Sequence, residues 1–400
     1  MDDSNYRIGI DVGGTFTDIV AVSDKGTVIF SKAPSTPADP SIGVMDAIAR
    51  LSHELRTESA VLLSKTERIV HGTTVATNAL LERKGAKTGL LTTIGHRDVL
   101  EMREGLKDDR YNMRLAAPET LVPRYLRLGV KERIRPDGSI HVPLDNDSLD
   151  AAIEKLKEAD VTSIAVCYLH AYKESKHEKE TRARIESKLP GVSVSLSSEV
   201  FPEIKEYERV STTVVNAYVR PVVEKYLRKL GDRLRETGYQ GPVLIILSHG
   251  GVAPIDEAVR LAAGTVLSGP AGGVAGSRYG SSLIGAENLV PFDMGGTSTD
   301  ISMIVNGEPA LSSTRGIAGQ RVALQSLDIV SIASGGGSIA RVDNGGILRV
   351  GPESAGAVPG PACYGKGGVE VAVTDASVVL GFLDPNNFLG GRESLDKGAA

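Results

Sequence analysis

The chain has 400 residues, is 41% hydrophobic and 24% charged, and carries a formal net charge of −5 with no Trp; that is a globular composition too long for one core, so two or three domains are expected. No apolar run approaches the roughly 18 residues of a membrane helix, and no basic cluster interleaves with aromatics as a nucleic-acid surface would require. Cys167 and Cys363 lack a CxxC or a histidine at ligand spacing, which argues against a disulfide framework or zinc module and predicts a cytoplasmic protein with reduced thiols and a small-molecule ligand.

In chain order, "YRIGI" (Tyr6 to Ile10) predicts a strand feeding "DVGGTFTDI" (Asp11 to Ile19), then strand, Lys25-Gly26 turn and strand. "DSLDAAIEKLKEA" (Asp147 to Ala159) predicts a helix, "VTSIAVCYL" a buried strand, Glu174 to Leu189 a helix and "VSVSL" a strand, an alternating α/β series. His96 to Arg135 reads as an Arg-rich loop. Glu206 to Gly238 predicts a long helix broken or kinked at Pro221, and "GPVLIILS" a returning strand. A glycine-rich helix entry over Gly264 to Gly285 precedes "NLVPF" and then "DMGGTSTDI" (Asp293 to Ile301), which differs from the first word only at Met294 and Ser298. Asn306-Gly307 predicts a hairpin turn of the kind that tolerates positive φ. A domain seam falls near the glycine-rich entry, dividing residues 1–265 from 266–400.

The repeated word explains itself chemically. Gly13-Gly14 and Gly295-Gly296 let backbone N–H groups approach an anionic oxygen with no Cβ in the way, and Thr15, Thr17, Thr297 and Thr299 add hydroxyl donors. Asp11, Asp18, Asp293 and Asp300 supply hard oxygen ligands suited to Mg²⁺ held partly through water. Two such loops predict a grip on the phosphates of ATP, with Mg²⁺ brought by the nucleotide. Neither GxxxxGK[ST] nor a strand followed by GxGxxG is present. The hairpin form resembles the actin, sugar kinase and Hsp70 superfamily, an α/β ATPase architecture with duplicated ribonuclease H-like halves that close on ATP. That resemblance implies one word in each half.

Further words narrow the resemblance. "HGTTVATNALLERKGAKTGLLTTIGHRDVLEM", "ERVSTTVVNAYVRPVVEKYL", "LSGPAGGVAG", "FDMGGTSTD", "GGGSIARVDNGGILRVGPESAGAVPGPACYGKGG" and "VTDASVVLGFLDPNNFLGG" together resemble the A-type, nucleotide-binding subunit of the hydantoinase and 5-oxoprolinase family over essentially the whole chain. The family implies ATP-dependent phosphorylation of an amide or ketone oxygen, completed with a B-type partner subunit in a hetero-oligomer. It therefore implies an activating subunit of a cyclic-amide hydrolase; alternatives are the same subunit of an acetone or acetophenone carboxylase, a free-standing small-molecule kinase, and a non-catalytic ATP-binding protein or inactive fragment. Two departures stand out. No GGAGP-like adenine word follows Asp300, which implies an incomplete second half, and Val330 stands where many relatives carry His.

Asp11, Asp293 and Asp300 are the residues expected to be most decisive for phosphoryl transfer, which rests on positioning and charge neutralisation, with Asp11, Asp18 and Asp293 about the metal. His71, Thr73 and Thr74 are candidates for substrate or γ-phosphate contact, or equally a capped helix start. Ser268-Gly269 could present a helix N-terminus to an anion, or allow close helix packing. Gly335 and Gly336 could belong to a third nucleotide-contacting loop or to a strained turn. Glu206 and Arg209 are expected to form a surface i,i+3 pair, the Arg-rich stretch to be paired with its acids, and Cys363 to be a buried small side chain rather than a nucleophile.

Overall fold

The computed structural model describes residues 4–14, 16–36, 38–105, 111–116, 119–296, 298–356, 358–388 and 393–400. Thr15 and Thr297, for which roles are expected above, lie outside these, as does part of the Arg-rich stretch. The chain divides into two compact units: residues 1–14, 18–269 and 312–326 make the first, and 15–17, 270–311 and 327–400 the second.

In chain order the principal elements are β1 (Tyr6–Val12), β2 (Phe16–Ser23), β3 (Val28–Pro34), α1 (Pro40–Glu54), β4 (Thr66–Thr73), α2 (Val75–Leu81), β5 (Thr88–Thr93), β6 (Arg127–Val130), α3 (Asn146–Glu158), β7 (Ser163–Cys167), α4 (Lys176–Lys188), β8 (Ser193–Leu196), α5 (Glu206–Glu236), β9 (Val243–Ile246), β10 (Val252–Pro254) and α6 (Ser268–Ile284). After α6 come β11 (Phe292–Met294), β12 (Thr299–Ser302), β13 (Ile329–Ile332) and α7 (Val373–Leu380).

The first unit holds two sheets of four or more strands among its described residues, besides short two-stranded pairings. One is six-stranded in the order β10-β9-β4-β1-β2-β3, with β9, β4 and β1 parallel. Alternation along β1 buries Tyr6, Ile8, Ile10 and Val12 while Arg7 and Asp11 stay exposed, as a half-buried strand demands. The second sheet, β8-β7-β5-β6, is wholly parallel. Its central strands β5 and β7 are buried along their whole length, as parallel strands covered on both faces must be. Asp145 caps α3 by accepting from the Ser148 N–H at 2.8 Å.

Helix α5 packs on both sheets. Val210, Val214 and Ala217 from its first half join the core of the parallel sheet, and Val219, Val223, Leu227 and Leu230 from its second half join the core of the six-stranded one. It runs unbroken through Pro221 over 31 residues, correcting the expected break. Burial along most of its length offsets the lost N–H bond, which costs about 3 kcal/mol in an exposed helix. The Arg-rich stretch is also more ordered than expected, since it supplies β6; Arg127 is buried and bonds Glu101, Thr120 and the Val122 carbonyl. Arg209 is likewise buried, donating to the Tyr168 carbonyl and Ser197, while Glu206 faces His96. The expected surface pair between them is therefore absent.

In the second unit β11, β12 and β13 form an antiparallel sheet. Asn306 and Gly307 take φ of +53° and +75° in the turn of a short hairpin, as their sequence predicts. Among the described residues no helix is long and apolar enough to cross a membrane.

Candidate functional site

In the first unit the site builds on the carboxyl ends of β1 and β4. Their parallel register sets Asp11 beside Gly72 and Val12 beside Thr73. The chain enters α6 through Leu267, which has φ of +64° and is fixed by its N–H donating to Thr77 Oγ1 at 2.9 Å. Ser268 then exchanges two bonds with Thr73: the Thr73 N–H donates to Ser268 Oγ at 3.0 Å, and that hydroxyl donates to the Thr73 carbonyl at 2.8 Å. The result brings Gly72 and Gly269 against the Asp11 carboxylate. A Cβ on Gly72 would lie 3.1 Å from Asp11 Oδ1, and one on Gly269 would lie 3.3 Å from the same oxygen. Asp11 thus occupies a niche that two side-chain-free residues keep open.

Gly14 tells a different story. A Cβ there would meet nothing within 4 Å, and its φ is not in the left-handed region. Gly296, its counterpart in the second word, has the same two properties. Neither packing nor backbone conformation among the described residues calls for glycine at these two positions, a property they share with Gly273, Gly276, Gly280 and Gly316; at the two words it leaves the backbone open to close approach.

His71, expected as a substrate candidate, is fully buried. Its Nδ1 donates to the Ile10 carbonyl at 3.3 Å and its Nε2 accepts from the Tyr226 hydroxyl at 2.7 Å, tying α5 to the underside of the sheet. Burial holds its pKa down to about 4. Thr73 and Thr74 differ from it. Thr73 braces Ser268 as above, and Thr74 is the N-cap residue of α2 and lines a cavity of about 670 Å³ with Gly13 and Gly14.

In the second unit, Asp293 stands directly opposite Asp300 across the β11–β12 hairpin. The glycine bend between them is tied to the loop of Gly335 to Gly337: the Gly336 N–H donates to the Gly295 carbonyl at 3.0 Å and the Gly337 N–H to the Gly296 carbonyl at 2.7 Å. Gly335 donates to Ser338 Oγ at 2.8 Å, so the N–H groups of Gly335 and Gly336 are both taken. The structure brings this loop to the second word, as a brace rather than as a source of free donors. Glycine is required there, because a Cβ on Gly336 would sit 2.8 Å from Thr374 Oγ1 and one on Gly337 3.0 Å from the Gly296 carbonyl.

Three expected roles change in this light. Thr17 is buried, and Thr299 is buried with its hydroxyl donating to the Ser334 carbonyl, a bond that ties Thr299 to the neighbouring loop. Asp18, the counterpart of Asp300, lies 2.8 Å from Lys32 Nζ in an exposed ion pair, so it already has a cation beside it. Asp300 instead accepts from the Ser331 hydroxyl and keeps its place opposite Asp293. The two copies of the word are alike in sequence but different in electrostatics.

Both cysteines are free and buried. Burial pushes the Cys363 thiol up to about 12 and the Cys167 thiol up to about 11, which excludes a thiolate nucleophile in the folded chain. Residues that sequence reading passed over include Tyr226, Asn78 and Asp375. Asp375 accepts from the N–H groups of Ala362, Cys363 and Ala372; its position three residues into "AVTDAS", a capping position, was the available signal.

Residues 7–189 match the model described as Hydantoinase/oxoprolinase N-terminal region, and residues 209–400 the one described as Hydantoinase/oxoprolinase. The caprolactamase subunit alpha of Pseudomonas jessenii is 40% identical over 100% of this chain and 58% of its own length. The crystal structure of ATP-dependent caprolactamase from that organism superposes with a TM-score of 0.85 at 39% identity, covering 98% of this chain and 57% of that one. A nucleotide-free structure of acetone carboxylase gives 0.84 at 30% identity, covering 99% and 57%. The chain therefore spans a little over half the length of these relatives, and its mixed α/β architecture is the actin-like ATPase fold that the repeated word implies.

Proposed function

The chain belongs to the hydantoinase/oxoprolinase family, and we propose that within it this chain is the ATP-dependent activating subunit of a cyclic-amide hydrolase, acting in the cytoplasm with a B-type partner. The observation that carries the reading is the pair Gly14 and Gly296, glycines at equivalent places in the two words where a Cβ would meet nothing within 4 Å and where open backbone suits phosphate oxygens. Identity to a relative named caprolactamase, over the whole chain, supports a cyclic amide as the acceptor.

The residues present fit Mg·ATP. Asp293 and Asp300 oppose one another in a hairpin, where two like charges repel unless a cation lies near, and Asp11 sits in its glycine niche. Mg²⁺ with ATP supplies charge neutralisation on the phosphoryl group in transfer. Asp11, Asp293 and Asp300 are the residues that would hold it, and Gly13, Gly14 and Gly296 would present backbone to phosphate oxygens, whereas the Gly295 N–H donates to the Ser298 carbonyl at 2.9 Å and shapes the bend. In the reaction proposed, the bond from the γ-phosphorus to the bridging oxygen breaks as a bond to the amide carbonyl oxygen forms. ADP leaves and the amide N–H proton is lost; a first water adds to the activated carbon and the C–N bond breaks, the ring nitrogen leaving as a protonated amine and the carbon remaining as an acyl phosphate, which a second water hydrolyses to carboxylate and phosphate.

The carboxylase reading is kept because the acetone carboxylase structure matches this chain as completely as the caprolactamase one does. There the activated acceptor would be a ketone enol that attacks carbon dioxide. Calorimetric titration of the chain with Mg·ATPγS, alongside Asp11→Ala and Asp293→Ala, tests what both readings share. Binding lost in each folded variant is the expected result, and unchanged binding in both would overturn the assignment. Phosphate release by the chain with its partner, stimulated by a lactam or by a ketone plus bicarbonate, then separates the two.

A further inference from the structure

The cavity of about 670 Å³ in the first unit has Gly13 and Gly14 on its lining, together with residues of α2 and α5. Val12, Val75, Ala79 and Val222 contribute apolar surface. Two lysines that line it are paired, Lys84 with Glu82 and Lys229 with Asp39, each at 2.6 Å, and Lys225 is exposed. The apolar part of this lining suits a small uncharged ring.

One polar side chain inside it has its orientation dictated. The Val12 carbonyl can only accept, so the Thr74 hydroxyl donates to it, at 3.1 Å. The Thr74 oxygen is then the acceptor for Asn78 Nδ2 at 3.2 Å. This assigns the Asn78 NH₂ to the Thr74 side and turns Oδ1 away from it. Asn78 lines the cavity and is half-buried, and among the described residues no donor reaches its Oδ1. The Tyr226 hydroxyl, also on the lining, is occupied by His71.

Resting on the reading of this chain as an acceptor-activating ATPase, we propose that the cavity holds the acceptor and that Asn78 Oδ1 receives the N–H of a cyclic secondary amide. The rim glycines of the first word then lie on the same cavity as the ring whose carbonyl is to be phosphorylated. A ketone of similar size presents a carbonyl oxygen and no N–H. It leaves Oδ1 without a partner, and a desolvated acceptor left unpaired discriminates more strongly than a missing apolar contact. Asn78 is thus a substrate-binding residue that favours amides, and it supplies a physical reason to prefer the hydrolase reading.

The test titrates the chain with 2-piperidone, N-methyl-2-piperidone and cyclohexanone, with Mg·ATPγS in parallel. The wild-type chain is expected to bind 2-piperidone about tenfold more tightly than the other two, the scale of one hydrogen bond. Asn78→Ala is expected to abolish that preference while leaving the weaker ligands unchanged, and Val222→Phe, which fills the cavity, to weaken all three. Asn78→Ala should not alter ATPγS binding by more than about twofold. Equal binding of 2-piperidone and its N-methyl form by the wild type, or no binding of either, overturns the proposal without recourse to any variant. So does an Asn78→Ala effect that falls equally on all three ligands. Absent ATPγS binding with the lactam preference intact would instead overturn the nucleotide reading and leave the cavity assignment standing.

Discussion

Asp293 faces Asp300 across the ladder that joins β11 to β12. Directly opposed side chains on an antiparallel pair have Cβ atoms about 5 Å apart, and like charges there are destabilising by a few tenths of a kcal/mol to about 1. The first copy of the word relieves its second acid differently, since Asp18 has Lys32 beside it. Asp293→Asn is therefore expected to leave the ligand-free chain as stable as before or about 0.5 kcal/mol more stable, while removing the stabilisation that Mg·ATPγS confers. Thermal melts with and without the ligand check both halves of this. Asp18→Asn, which breaks an exposed ion pair of small worth, is expected to change ligand-induced stabilisation little.

Gly14 and Gly296 offer a separation of stability from binding that most glycines do not. Nothing lies within 4 Å of a Cβ built at either, and neither has positive φ. Alanine at either position restricts the unfolded chain, which contributes about 0.4–1 kcal/mol in favour of folding where the native backbone accepts it. Gly14→Ala and Gly296→Ala are each expected to melt at or above the wild-type temperature and to bind ATPγS at least tenfold more weakly. A destabilised chain with normal binding would mean that the glycines serve the fold after all.

Gly72 and Gly269 should behave in the opposite manner. Their added Cβ would press on Asp11 Oδ1 from 3.1 and 3.3 Å, tighter than ordinary contact, so the carboxylate must shift by a few tenths of an ångström. Gly269 lies in the first turn of α6, where alanine regains part of the roughly 1 kcal/mol that glycine costs a helix. Gly269→Ala is expected to be close to neutral in urea denaturation and Gly72→Ala to cost about 1 kcal/mol. Both should weaken ATPγS binding, since each moves the same oxygen.

What was legible in the sequence was whatever is written locally. The hairpin bend at Asp293 to Ile301, the Asn306-Gly307 turn, the helix α3 with its Asp145 cap and the strands β7 and β8 follow from periodicity and turn chemistry over a few residues. Strand β6 was missed because "RLGV" is four residues inside an Arg-rich stretch, and its place is decided by pairing with β5. The continuity of α5 through Pro221 depends on the two cores it serves, which no local rule contains. At the site, Asp11 and the glycine words could be read directly. The division of labour among the threonines could not, because it turns on which hydroxyl is buried, as at Thr299, and which reaches a neighbouring carbonyl, as at Thr74.

The cysteines give a simple check of the core. Cys363 is fully buried with its thiol pushed up to about 12, and Cys167 is nearly so at about 11. Neither is expected to react with iodoacetamide near pH 8 until the chain is unfolded in urea, after which both should label. Rapid labelling of native Cys363 would contradict its burial in the small cluster with Val378 and Leu395.

His71 makes a pH-dependent contribution whose sign is fixed by its bonds. Its ring accepts from the Tyr226 hydroxyl at Nε2 and donates from Nδ1 to the Ile10 carbonyl; that arrangement needs the neutral ring, because a protonated Nε2 cannot accept. Burial lowers the folded-state pKa from 6.5 to about 4, against a smaller raising effect of the Ile10 bond. Between those values the unfolded chain binds the proton and the folded chain does not, so stability increases with pH across the window. The contribution is complete above about pH 6.5 and declines as pH falls towards 4, with a full span on the order of 3 kcal/mol. His71→Gln removes the titrating group; it is expected to cost about 1–3 kcal/mol near pH 7 through the lost fit, and to narrow that deficit near pH 5. Urea midpoints for the two chains at both pH values measure the difference, in which carboxylates common to both cancel. A deficit that stays constant with pH would show that His71 titrates alike in the folded and unfolded chains, contrary to the buried neutral ring described here.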